Sequence, residues 1–201
     1  MLDARMRRLI DPPLARMADL LAATALTANA VTLAGFGLGL LAMAAIAGGF
    51  YLTGLGLLLA NRLADGLDGA LARRRAVTDL GGFLDIVLDF IVYSGVVVAF
   101  ALADPPRNAL AACFLVFSFT GTGSSFLAFA VMAARRGIET EARGRKSLYY
   151  LGGLTEGTET IALFVLCCLF PAAFPVLALV FGALCWLTTL ARVLTAWRLL
   201  G

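Results

Sequence analysis

Asp65 and Asp68 lie three residues apart, and Asp85 and Asp89 four apart, in a chain that is otherwise mostly apolar. At these spacings each pair falls on one face of a helix, so two neighbouring helices would offer four carboxylates to a shared site. An ionisable residue at mid-membrane costs roughly 2.5–3.5 kcal/mol on insertion scales, and less near the interface, so such a cluster needs a compensating partner. A cation would serve. The chain has no His, and carboxylates without His or Cys select a hard ion; Mg²⁺ held by carboxylates while it contacts phosphate oxygens is the usual arrangement for phosphoryl transfer. The lack of His also leaves a carboxylate, or less readily Tyr, Lys or Cys, as the acid–base catalyst. Gly66, Gly69, Gly81 and Gly82 lie among the aspartates, where missing side chains would let a nucleotide or pyrophosphate approach the backbone. The competing reading pairs the aspartates with Arg62 and Arg73 to Arg75 as a salt-bridged cap. Four carboxylates at helical spacing on adjacent helices weigh against it.

The elements that must position these residues are membrane helices. The chain has 201 residues, 61% of them hydrophobic, and a mean hydropathy of +0.93, against about 45–50% apolar residues in a soluble domain. Apolar segments at about 30–50, 53–72, 80–103, 109–134, 155–171 and 174–197 are each long enough to cross the hydrocarbon core. They predict an all-α integral membrane protein with six transmembrane helices, forming one domain over 1–201. Residues 1–26 interleave Arg5, Arg7, Arg8 and Asp11 with Leu2, Met6, Leu9, Ile10, Leu14, Met17, Leu20 and Leu21. That pattern predicts a retained, interfacial amphipathic helix broken at Pro12-Pro13.

Basic residues sort by loop. Arg5, Arg7, Arg8 and Arg16 precede the first span, Arg73 to Arg75 follow the second, and Arg135, Arg136, Arg143, Arg145 and Lys146 follow the fourth, while the opposite loops hold only Arg107. The positive-inside rule then puts both termini and the aspartate cluster on the cytoplasmic side, and Arg192 and Arg198 agree. Topology and anionic headgroups account for the net charge of +3 without nucleic acid as a partner. Cys113, Cys167, Cys168 and Cys185 all fall in apolar spans without CxxC spacing and read as packing residues.

The segment DGLDGALARRRAVTDLGGFLDIVLD resembles the signature of the CDP-alcohol phosphotransferase family: DxxDGxxAR, a short gap, then GxxxDxxxD. It matches at Asp65, Asp68, Gly69, Ala72, Arg73, Gly81, Asp85 and Asp89. Upstream, Thr27-Ala28-Asn29-Ala30-Val31-Thr32 is similar to the family's TPNxxT stretch, with Ala28 in place of Pro. The resemblance implies that Asp65, Asp68 and Asp85, with Asp89 shared, hold two divalent ions, Mg²⁺ or Mn²⁺, that clamp the pyrophosphate of a CDP-linked donor. Gly69 and Arg73 would contact the CDP moiety. Asp89 would act as general base on an acceptor hydroxyl, releasing CMP and leaving a phosphodiester lipid. A homodimer in a bacterial inner membrane is also implied.

Acceptor choice should be written outside the shared motif. Arg143, Arg145 and Lys146 would hold an acceptor phosphate, or act only as topology determinants. Glu156 and Glu159 open an otherwise apolar span; Glu156 would bind an acceptor hydroxyl or amine, or pair with Arg192 or Lys146. Asn61, one turn before Asp65, would hydrogen-bond a ligand carboxylate or the nucleotide, and Thr32 is a candidate nucleotide contact. Gly35 and Gly39 form a GxxxG pattern suited to close helix packing. The leading expectation is a phosphatidyltransferase using CDP-diacylglycerol and a small polar alcohol. The alternatives are a CDP-choline or CDP-ethanolamine enzyme with diacylglycerol as acceptor, and a divalent-cation transporter.

Overall fold

A computed structural model describes residues 2–136 and 154–200, which are almost entirely helical. In chain order the helices are α1 (Leu2–Ala22), α2 (Ala28–Ala47), α3 (Tyr51–Arg74), α4 (Asp79–Ala103), α5 (Pro105–Arg135), α6 (Gly157–Leu169) and α7 (Phe174–Leu200), with a short 3₁₀ turn at Pro171–Ala173. Caps fix several starts. Thr27 Oγ1 accepts from Ala30 N at 3.2 Å to open α2, and Thr78 Oγ1 accepts from Gly81 N at 3.1 Å to open α4. Ala28 therefore begins α2 where a Pro would also fit, since the first helical N–H needs no partner.

Four helices, α2, α4, α5 and α7 with the turn before it, are long and apolar enough to cross a membrane. The other two expected spans differ for physical reasons. Helix α3 has 24 residues, but from its middle onward it carries Arg62, Asp65, Asp68, Arg73 and Arg74. Helix α6 has only 13 residues, about 20 Å at 1.5 Å per residue, against a core of about 30 Å. It is short because Glu156 caps it in a capping box with Glu159, so helix begins only at Gly157.

Helix α1 is not broken at Pro12-Pro13, as the sequence predicts; it runs through both prolines. Interior prolines cost about 3 kcal/mol or more, and packing and hydrogen bonds to α3 offset that cost. Leu14 and Ala18 are buried with Val31, Leu67, Ala70 and Leu71. Arg74 bonds to Asp19 and donates to Ala15 O at 2.8 Å, while Arg75 donates to Leu26 O at 2.7 Å and to Thr24 O. The Arg74 hydrogen bond holds the Asp19 carboxyl below its ordinary value. Two arginines of the basic loop thus staple α1 to the end of α3.

The main core lies at the other end of the bundle. Phe100 stacks between Tyr51 and Phe174 with centroids 5.7 and 4.7 Å away, amid Ile46, Leu58, Val96 and Phe164. Cys167, Cys168 and Cys185 are buried there, whereas Cys113 is exposed. The GxxxG pattern packs within the chain: a Cβ at Gly35 would sit 2.9 Å from Ala64 Cβ, and one at Gly39 would sit 2.8 Å from Val92 Cγ2.

Close approach is tight at Gly54, where a Cβ would lie 2.5 Å from Ile46 Cγ1 and 3.2 Å from the Ala42 carbonyl. Overpacking costs about 1–3 kcal/mol. Gly54→Val is therefore expected to lower the thermal midpoint in detergent clearly more than Gly56→Val, whose added Cβ meets open space.

Candidate active site

The polar half of α3 and the first turns of α4 face each other beside the start of α2. Asp65, Asp68 and Asp85 each present a carboxylate oxygen so that all three atoms lie within 4.8 Å of one another. Asp68 is only 5% exposed, and its Oδ2 is buried with no hydrogen-bond partner among the described residues. A buried polar atom left unpaired costs about 1–3 kcal/mol, and more when charged. A divalent cation shared by the three carboxylates removes that cost, and all-oxygen donors suit a hard ion. The residues present therefore fit the metal that the sequence implies. They border a narrow cleft, also lined by Thr32, Phe36, Asn61, Arg62, Leu88, Asp89 and Val92.

Asp89 is placed differently from the other three. Its Oδ1 accepts from Arg62 Nη2 at 2.8 Å, and Arg62 Nη1 lies 3.8 Å from Asp65 Oδ2. The same guanidinium donates through Nε to Asn61 Oδ1 at 2.8 Å and through Nη1 to the Tyr93 hydroxyl at 3.1 Å. Asn61 Nδ2 in turn donates to Gly35 O at 2.8 Å, tying α3 to α2. Both polar ends of Asn61 are thus engaged within the protein. Thr32 lines the cleft, and its hydroxyl donates to Ala28 O at 3.1 Å.

The salt-bridge reading of the motif holds in part, through Arg62. Arg62 and Tyr93 are the site residues the sequence reading did not select. Helical spacing carried a signal for both: Arg62 is three residues before Asp65, and Tyr93 is four after Asp89.

The four glycines divide. A Cβ at Gly66 would meet Leu14 Cδ1 at 2.7 Å, and one at Gly81 would meet Asn29 Oδ1 at 3.2 Å, so these two admit neighbouring parts of the chain itself. At Gly82 a Cβ would meet nothing within 4 Å, and at Gly69 only Arg73 Nη1 at 3.4 Å. Gly69 and Arg73 therefore adjoin each other, one turn beyond Asp65 and Asp68.

Neither Glu156 nor Arg192 lines the aspartate cleft. Glu156 is buried as the α6 cap. Arg192 Nη1 donates to Thr122 O at 2.8 Å, its guanidinium lies 5.6 Å from the Phe126 ring centroid, and it borders a second, mainly apolar cleft between α5 and α7. Arg143, Arg145 and Lys146 lie outside the described residues.

Residues 25–198 match the CDP-alcohol phosphatidyltransferase family, and the chain belongs to it. It is accordingly a transferase of substituted phosphate groups, moving a phosphatidyl group from a CDP-linked donor to an alcohol. Among its relatives, the chain is 55% identical over 193 residues to inner membrane protein YnjF of Escherichia coli, covering 96% of this chain and 94% of that one. It is 48% identical over 84 residues to archaetidylinositol phosphate synthase of Methanothermobacter thermautotrophicus, covering 41% and 40% of the two chains. Its fold is that of the Mycobacterium tuberculosis phosphatidylinositol phosphate synthase. The crystal structure of that protein with CDP-DAG bound superposes with a TM-score of 0.74 at 22% identity, covering 92% of this chain and 93% of that one. The structure of the same protein with manganese and citrate gives 0.72 at 22% identity, covering 92% and 88%.

Proposed function

We propose that the protein transfers the phosphatidyl group of CDP-diacylglycerol to the hydroxyl of a small polar alcohol, releasing CMP, and that the cleft between α3 and α4 is where it does so. The observation that carries this reading is the triad of Asp65, Asp68 and Asp85 with its orphaned, buried Asp68 oxygen. Asp65, Asp68 and Asp85, with Asp89 shared, would hold divalent ions, two in number and Mg²⁺ or Mn²⁺ in kind. When bound, such ions stabilise the attacking and leaving oxygens of an in-line displacement. Gly69 leaves room for the CDP moiety to lie against the backbone, and the Arg73 guanidinium beside it meets donor phosphate or cytidine oxygens. Asp89 takes the proton of the acceptor hydroxyl. The acceptor oxygen then bonds to the β-phosphorus of the donor as the bond from that phosphorus to the bridging oxygen breaks, and CMP leaves.

Six spans with an interfacial α1 complete the picture: α3 crosses with its polar half packed in the bundle, and α6, too short to cross by itself, does so together with the residues that flank it. The named location of the Escherichia coli relative supports the inner membrane. The loop arginines support a cytoplasmic site and cytoplasmic termini. A homodimer is the expected assembly. The synthase names of two relatives support a phosphorylated acceptor, held by Arg143, Arg145 and Lys146.

The test is a panel of alcohols offered with and without a phosphate, together with CDP-diacylglycerol and Mg²⁺, and lipid products identified by mass spectrometry. A phosphorylated member is expected to give the only efficient product. Arg143→Ala, Arg145→Ala and Lys146→Ala are expected to raise the acceptor KM far more than the donor KM. Product only from CDP-choline or CDP-ethanolamine with diacylglycerol would reverse the role of the lipid.

A further inference from the structure

Helix α5 packs extensively on α7, and the two are tied at two levels. At the first, Gly121 admits the side chains of Trp186 and Thr189: a Cβ there would lie 3.1 Å from Trp186 Cζ3 and 3.2 Å from Thr189 Oγ1. At the second, Arg136, just past the end of α5, donates from Nη1 to Leu199 O on the last turn of α7 at 3.2 Å. Between these ties the facing residues are small. Ser125 and Ala128 on α5 and Ala196 on α7 border a cleft of about 490 Å³. Met132, Val193 and Trp197 also line it, and all three are exposed. The Ser125 hydroxyl donates to Thr122 O on its own helix at 3.0 Å, so the walls offer the cleft little polarity.

Apolar walls hold water poorly, and both helices are long and apolar enough to cross a membrane, so an apolar chain suits the space. The charge around it is of one sign. Arg135 and Arg136 follow Met132 by three and four residues and continue the same face of α5 to its end. Arg192, only 7% exposed, borders the cleft as well. Among the described residues no carboxylate lines it. A cleft that is apolar along its length and basic at its end is complementary to an acyl chain with a negative headgroup. We infer that it binds an anionic phospholipid, with one acyl chain between α5 and α7 and the lipid phosphate at Arg135 and Arg136. This site shares no described lining residue with the aspartate cleft, and its occupancy is independent of the transfer chemistry.

The chain has 2 tryptophans, so Trp186→Phe leaves Trp197 as a single fluorescent reporter at the cleft. The full chain with this change is placed in phosphatidylcholine vesicles containing a small fraction of lipid with brominated acyl chains, which quench tryptophan on contact. The brominated lipid is phosphatidylglycerol in one series and phosphatidylcholine in the other. Half-maximal quenching of Trp197 is expected at about tenfold lower mole fraction of the anionic lipid, the scale that two arginines near an anionic headgroup supply. In Arg135→Gln/Arg136→Gln the two series are expected to coincide. Ala196→Leu, which puts a larger side chain into the cleft, is expected to remove the preference while both arginines remain; a native elution profile on size exclusion shows that each variant is folded.

Equal quenching by the two lipids with the cleft and both arginines intact would overturn the inference. So would a preference that survives in Ala196→Leu, since it would belong to the basic surface and not to the cleft. Protection of Trp197 from both lipids would overturn it as well, showing the cleft covered by another part of the chain or by a second copy.

Discussion

Asp68→Asn is expected to reduce CMP release to background while leaving the protein as stable as before, or more so. The activity follows from ligand chemistry: an amide is a neutral and weaker donor to a hard cation than a carboxylate. The stability follows from burial, since Asp68 is 5% exposed and its Oδ2 has no hydrogen-bond partner among the described residues. A buried charge without its cation costs more than a buried amide. In EDTA the variant should therefore melt no lower than the unaltered protein. A carboxylate serving only as a salt-bridged cap would behave in the opposite way, with a lower midpoint and intact turnover. Measuring CMP release and thermal midpoint on the same preparations separates the two.

Asp89→Asn is the second large effect, and it should differ in kind. The side chain is bonded to Arg62 and lines the same cleft as the other three aspartates; as it is the proposed base, its loss should remove proton transfer and leave the other three carboxylates to hold the ions. Turnover is expected to fall about 10²–10⁴-fold, the usual range for a general acid–base contribution. Donor affinity and Mn²⁺ affinity should remain close to native, and excess Mg²⁺ should not restore the rate. Recovery of near-native turnover at high Mg²⁺ would make Asp89 a ligand and withdraw its role as base.

The motif was legible because its chemistry is local. Asp65 and Asp68 share a face of α3 by spacing alone, and Asp85 falls beside them because α3 and α4 both pack on α2, which brings their polar turns to one cleft. Arg62 was harder to read: an arginine next to carboxylates is also what a salt-bridged cap would contain, and its anchors, Asn61 and Tyr93, are 1 and 31 residues away. The glycines misled for a related reason. Gly66 and Gly81 sit in the motif, yet the space at Gly66 is taken by Leu14, and that at Gly81 by its own cap Thr78 and by Asn29; Leu14 and Asn29 come from distant parts of the chain that no local pattern records. Hydropathy found α2, α4, α5 and α7, where apolar length is the whole signal. It overstated α6, whose start is set by a capping box rather than by the edge of the apolar run. Helix α1 runs through Pro12-Pro13 because Arg74 and Arg75 bind the backbone around it from 49 to 59 residues away, and only the fold shows those partners.

The central claim is that an aspartate-held metal site moves a phosphatidyl group from CDP-diacylglycerol to an alcohol. Its most direct test follows CMP and lipid product together, with CDP-diacylglycerol of defined acyl chains, Mg²⁺ and the preferred acceptor. The expected result is one phosphatidyl-alcohol formed per CMP released, with both falling to background in EDTA and returning when Mg²⁺ is restored. CMP release accompanied only by phosphatidic acid, or transfer that continues in EDTA, would contradict it.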